Sequence, residues 1–153
     1  QGACTGGGAG IAACCDLRVA ARGMRYGFPV ARTLGNCLSM NNYVRLAALL
    51  GPARVKDIIF RARLVEAEEA LAIGLVSELL DDGNALAQRA EELVREVAAL
   101  APLTLQATKE ALYRLRTKPD EGSDLVLMCY MSEDFREGME AFLGKRKPVW
   151  KGR

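Results

Sequence analysis

The chain has 153 residues, half of them hydrophobic, and a formal net charge of +2. A chain this long buries roughly 70% of its unfolded surface, which is enough for a core without staples. The small net charge excludes recognition of nucleic acid or an anionic membrane on bulk charge alone, and the absence of histidine excludes Ser-His and Cys-His nucleophile pairs and any His-ligated metal built from these residues.

Glycines at 2, 6, 7, 8 and 10 crowd the first ten residues and run into an apolar stretch, Ile11 to Cys15. The pattern predicts a first helix from Gly8 to Cys15. Leu17 to Ala20 and Met24 to Phe28 read as two short strands, the second broken by Gly27-Phe28-Pro29. Val30 to Cys37 reads as loop. Ser39 is placed to cap a helix reaching Leu50, with Tyr43, Leu46, Ala47 and Leu50 on one face. Pro52 opens the next helix, to Arg61.

Glu66 to Ile73 is a short helix with acids at its start and Gly74 at its end, and the acids Glu66, Glu68 and Glu69 suit the helix dipole. Leu75 to Glu78 is a brief strand, and Asp81 to Asn84 a turn. An amphipathic helix follows from Ala85 to Leu100, then one from Pro102 to Arg116. Residues Lys118 to Gly122 break the chain before a last helix, Ser123 to Leu143. Beyond Ser39 the chain is almost all helix. The few strands at its start cannot make a buried sheet unaided, so neighbouring strands are expected from elsewhere.

A glycine-rich turn feeding a helix aims unpaired N–H groups and the positive end of the helix dipole at one point. Such a point binds an anion or stabilises an oxygen that gains charge during reaction. A phosphate-binding P-loop would need Gly-Lys-Ser/Thr, and a dinucleotide site would need an acid about 20 residues later; neither is present. An oxyanion turn and a plain tight turn with close helix packing both remain open. Residues 17–56 contain Arg18, Arg22, Arg25, Arg32, Arg45, Arg54 and Lys56 but no acid, and the tail from Lys145 is also basic. Both stretches suit a phosphorylated small molecule, and both also suit a solvated surface.

Five cysteines without a C-x-x-C pair point to a reduced, cytoplasmic setting. Cys14 and Cys15 are expected in the core. No signal peptide is visible, and no apolar run approaches the ~20 residues that cross a bilayer.

Four segments in order carry a resemblance. They are Gly2-x-x-x-Gly6-Gly7-Gly8 with Ala13-Cys14-Cys15-Asp16-Leu17-Arg18-Val19-Ala20, Arg25-Tyr26-Gly27-Phe28-Pro29, Ala67 to Val76, and Glu137-Gly138-Met139 through Lys145-Arg146-Lys147-Pro148. Together they resemble the crotonase (enoyl-CoA hydratase/isomerase) superfamily, over its C-terminal half only. The resemblance implies an α/β, crotonase-like ββα-spiral fold, truncated, with a C-terminal helical trimerisation region. It divides the chain into residues 1–38, the end of the core with the oxyanion turn, and residues 39–153, including the oligomerisation helices.

The resemblance further implies an acyl-CoA enzyme working through an enolate. Coenzyme A would enter as part of the thioester substrate, with no bound cofactor and no metal. The partners would be the missing N-terminal half and other copies, in a homotrimer or hexamer. Gly7 matches the glycine whose N–H holds the thioester oxygen. The two positions where hydratases of the family carry glutamates are Gly10 and Val30, and neither transfers a proton, so two-glutamate hydration is not expected. Arg32 is a candidate for an anionic group. Asn36 and Cys37 are candidates to face the acyl chain, against the plainer roles of turn residue and filler. Lys145 matches a basic position that approaches the coenzyme, against a solvated tail. The competing expectation is a catalytically incomplete fragment that serves as a CoA-binding or oligomerisation module.

Overall fold

A computed structural model describes residues 1–117 and 123–153. The expected break at Lys118 to Gly122 lies outside the described residues. Two compact units are present, Gln1–Glu92 and Leu93–Arg153.

The first unit opens with β1 (Ala3–Thr5), which leads directly into α1 (Gly7–Cys14). The glycine turn therefore does follow a strand, one too short to show in the sequence pattern. Next come β2 (Val19–Ala21) and β3 (Arg25–Gly27). β1 and β3 run parallel, with Cys4 opposite Tyr26, and β4 (Val65–Glu66) adds an antiparallel edge to β3. A second, two-stranded sheet pairs β2 in parallel with β5 (Glu78–Leu80).

β5 begins where the expected strand, Leu75 to Glu78, was to end. The reason is the end of α5 (Ala67–Ala72). Gly74 has φ +74°, the Leu75 N–H reaches Ala70 C=O at 2.9 Å, and the Gly74 N–H reaches Leu71 C=O at 3.1 Å. This Schellman closure uses Leu75 as a buried anchor and leaves pairing to the residues beyond it.

The stretch expected as loop begins with a short helix, α2 (Val30–Thr33). Pro29, with φ −75°, starts it, and its carbonyl accepts from the N–H groups of Arg32 and Thr33. Ser39 does cap α3 (Met40–Leu50), accepting from the Asn42 N–H at 3.4 Å. Leu46 and Leu50 are buried on the inner face of α3. α4 (Pro52–Phe60) starts at its proline. The core gathers Ala9, Ala13, Met24, Tyr26, Phe28, Leu46, Val65 and Leu75 around β3 and α1. Cys14 and Cys15, expected inside, are exposed, because they lie at the outer end of α1. All five cysteines are free thiols.

α6 (Gly83–Ala98) is capped by Asp82, whose carboxylate accepts from the Asn84 and Ala85 N–H groups. The second unit contains α7 (Pro102–Arg114), α8 (Ser123–Tyr130) and α9 (Glu133–Leu143). One continuous last helix was expected. It is divided because Ser132 stops α8 and caps α9, taking the Phe135 N–H at 2.9 Å. Asp134, 3% exposed, accepts from the Lys151 and Gly152 N–H groups at 2.7 and 2.9 Å and so ties the C-terminal tail to α9. No helix among the described residues is long and apolar enough to cross a membrane.

Candidate active site

The local chemistry of the glycine turn begins at Gly6. Its φ of +55° is a conformation that a side chain would strain, and its N–H donates to Gly27 C=O at 3.1 Å. The first bond within α1 runs from the Gly10 N–H to Gly6 C=O, 3.0 Å. Gly7 and Gly8 precede that bond, and no side chain caps the helix. Their N–H groups therefore find no acceptor among the described residues, and both residues are exposed. Around each of them a Cβ would meet nothing within 4 Å. Packing among the described residues thus does not require glycine at 7 or 8.

Gly27 is the opposite case. A Cβ there would lie 2.8 Å from the Arg63 carbonyl oxygen, so close backbone packing demands glycine.

Beneath the turn, α1 is held by Tyr26 on β3. The Tyr26 Oη donates to Ala9 C=O at 3.0 Å, and its ring meets Phe28 edge-on at 5.8 Å. Burial pushes the Tyr26 phenol well above its ordinary pKa, with the neighbouring Cys4 adding in the same direction, so the hydroxyl remains a donor. Burial likewise raises the Cys4 thiol.

The expected site residues fall into distinct surroundings. Gly10 is buried on α1, and the space beside it is occupied by Asn42 of α3. Val30, the other position at which the resemblance implies a glutamate, is buried at the start of α2. Arg32, Asn36 and Cys37 are all exposed. Arg32 forms no ion pair among the described residues, nor do Arg25, Arg54 and Lys56. Of the other cations in this stretch, Arg22 reaches Asp81 and Glu68, and Arg18 caps the carbonyls of Leu75 and Cys15. Glu69, expected only as a dipole partner, is gripped in bidentate fashion by Arg63 at 2.7 Å, which holds its carboxyl below the usual range.

Lys145 belongs to the second unit. It is exposed, takes a left-handed φ of +49°, and has no ion pair among the described residues. Arg146 beside it is committed to Glu137. Among the described residues no cluster of His, Cys, Asp or Glu is arranged to hold a metal ion.

Sequence reasoning missed Tyr26 as the strap and Asn42 as the neighbour of Gly10. Neither carries a local signal, since each acts across a separation of 17 or more residues.

The family model for enoyl-CoA hydratase/isomerase matches residues 1–153. The chain belongs to that family. A short-chain-enoyl-CoA hydratase of Clostridium acetobutylicum is 33% identical over 152 residues, covering 96% of this chain and 58% of the relative. A carnitinyl-CoA dehydratase of Salmonella typhi is 37% identical, over 97% of this chain and 59% of its own. Among solved structures, an enoyl-CoA hydratase/carnithine racemase from Magnetospirillum magneticum superimposes with a TM-score of 0.86 at 30% identity, over the whole of this chain and 58% of that one. The fold is that of the crotonase superfamily, and the chain spans about three fifths of the length of these relatives.

Proposed function

We propose that this member of the enoyl-CoA hydratase/isomerase family binds an acyl-CoA with its thioester oxygen on the Gly7 N–H. There it stabilises an enolate, in isomerase, lyase or hydrolase chemistry rather than two-glutamate hydration. The observation that carries the reading is the turn itself: exposed N–H groups at Gly7 and Gly8, no capping side chain, and open space where any Cβ would stand. An oxygen that becomes negative gains most from dipoles fixed in advance, because nothing must reorganise as charge develops. The relatives' printed names, enoyl-CoA hydratase and carnitinyl-CoA dehydratase, support a CoA thioester as the substrate class.

Neither Gly10 nor Val30 can move a proton, so the acid or base would come from sequence beyond residues 1–153, matching the remaining part of the relatives. Arg32 is our candidate for an anionic group of the substrate, and Asn36 and Cys37 for contacts to the acyl chain. Lys145 would contact the coenzyme of a neighbouring copy, in a trimer or hexamer. Phe142, Leu143 and Met131, each more than three quarters exposed, are apolar surface suited to such assembly. Five free thiols suit a reducing, cytoplasmic setting.

The same lack of a proton-transferring group at Gly10 and Val30 favours a second reading, a module that binds CoA thioesters without turnover. One experiment separates the two. Butyryl-CoA is titrated into the protein, and exchange of its α-protons with deuterium oxide is followed by NMR. Binding with exchange supports the enolate enzyme. Binding without exchange supports the second reading, and no binding leaves only an assembly role.

A further inference from the structure

Gly10 lies one helical turn beyond Gly7 on α1, and residues three apart on a helix are neighbours about 5–6 Å apart. A Cβ on Gly10 would stand 3.8 Å from Asn42 Nδ2 and 3.9 Å from Oδ1, and would touch nothing else within 4 Å. The carboxamide of α3 therefore occupies the flank of α1 that a side chain at position 10 would otherwise cover.

The α3 backbone that carries Asn42 is anchored on either side of it. The Asn42 N–H is taken by the Ser39 cap, and three residues on, Arg45 reaches the Cys14 Sγ at the far end of α1 at 2.5 Å. The side chain is half-buried, yet its amide makes no hydrogen bond among the described residues. A half-buried carboxamide with an unused donor pair and an unused acceptor, one turn along α1 from the exposed Gly7 N–H, suits a polar group on a ligand.

We propose that Asn42 is the specificity-determining contact of this site, hydrogen-bonding an oxygen substituent close to the carbonyl on the acyl chain of a thioester seated at Gly7. This rests on the thioester reading above. A carboxamide cannot serve as acid or base near neutral pH, so its contribution is selection and orientation, not proton transfer. Glycine at position 10 completes the arrangement, since any larger residue would stand between Asn42 and the ligand.

The test compares two ligands that differ by one hydroxyl, 3-hydroxybutyryl-CoA and butyryl-CoA. Affinities are measured by calorimetry on the protein as its gene encodes it, with any residues that flank 1–153 present. One net hydrogen bond predicts that the wild type prefers the hydroxylated ligand by about threefold to tenfold. In Asn42→Ala the preference disappears while the affinity for butyryl-CoA is unchanged; a merely structural role for Asn42 would weaken both ligands alike. Equal binding of the two by the wild type, or a preference that survives in Asn42→Ala, overturns the role of Asn42 and leaves the thioester reading intact. Failure of both ligands to bind removes the thioester reading, and this inference with it.

Discussion

The Tyr26 hydroxyl donates to the Ala9 carbonyl at 3.0 Å, inside the core, and joins the central strand to the first turn of α1. Ala9 is wholly buried and Tyr26 nearly so, so neither group has water as an alternative partner. Tyr26→Phe keeps the ring contact with Phe28 but leaves the carbonyl without this donor. We expect a loss of about 1–2 kcal/mol in a urea titration. Thioester affinity should fall several-fold with it, because the turn that carries Gly7 loses its strap. Unchanged stability would show that the bond contributes nothing net.

Gly7 and Gly27 make opposite predictions for the same substitution. Gly27→Ala forces a methyl against the Arg63 backbone at 2.8 Å, a contact no rotamer change relieves. It should destabilise by about 1–3 kcal/mol in thermal or urea unfolding. Gly7→Ala meets open space at a negative φ and should stay within about 0.5 kcal/mol of wild type. Its effect should instead appear in binding of a thioester, at least tenfold weaker if the carbonyl packs against the bare backbone there.

The C-terminal tail has an acid-sensitive anchor. Glu137 accepts from Arg146 at 2.5 and 2.9 Å and from the Val149 N–H at 2.8 Å, and the Arg146 guanidinium, then that N–H, hold its pKa down at about 2. An unfolded glutamate titrates at about 4.3. The folded value is the lower one, so the anchoring is fully present above about pH 4.3 and is lost as pH falls toward 2. Trp150, the chain's single tryptophan, donates its indole N–H to Ala99 C=O at 3.1 Å, so its fluorescence reports tail docking. The acid limb of that signal should be absent in Glu137→Gln, whose tail is loosened already at neutral pH.

Asp134 is the second anchor. Its carboxylate is buried and accepts the Lys151 and Gly152 N–H groups, while its own N–H donates to Arg153 C=O at 3.1 Å. Asp134→Ala leaves two partly buried N–H groups unpaired and should cost about 1–3 kcal/mol. Hydrogen exchange at Lys151 and Gly152 should accelerate well before the rest of the unit. Protection equal to wild type would rule out the anchor.

Several features of this chain were readable along its length. The helix starts at Ser39, Pro52 and Pro102, and the stop at Gly74, depend on residues within one turn of each other. So does the glycine turn, because its unpaired N–H groups follow from local backbone geometry. The family resemblance and the missing acids at positions 10 and 30 were also legible, since both need only residue identity in order. Val65 and Glu66 form a strand only because β3 offers them an edge, which no local pattern shows. The division at Ser132 and the start of α2 at Pro29 are local, resting on bonds to residues three or four positions on, and were masked by the helical periodicity and by the loop-like composition around them.

The sequence by itself thus determined the glycine turn and the absence of an acid at positions 10 and 30. Only the tertiary structure decided what stands around that turn, namely the Tyr26 strap from β3 and the Asn42 amide beside Gly10. Both join residues 17 and 32 positions apart along the chain. Such pairs arise when strands and helices dock to bury their apolar faces, a choice made by packing of the whole core rather than by neighbours in sequence.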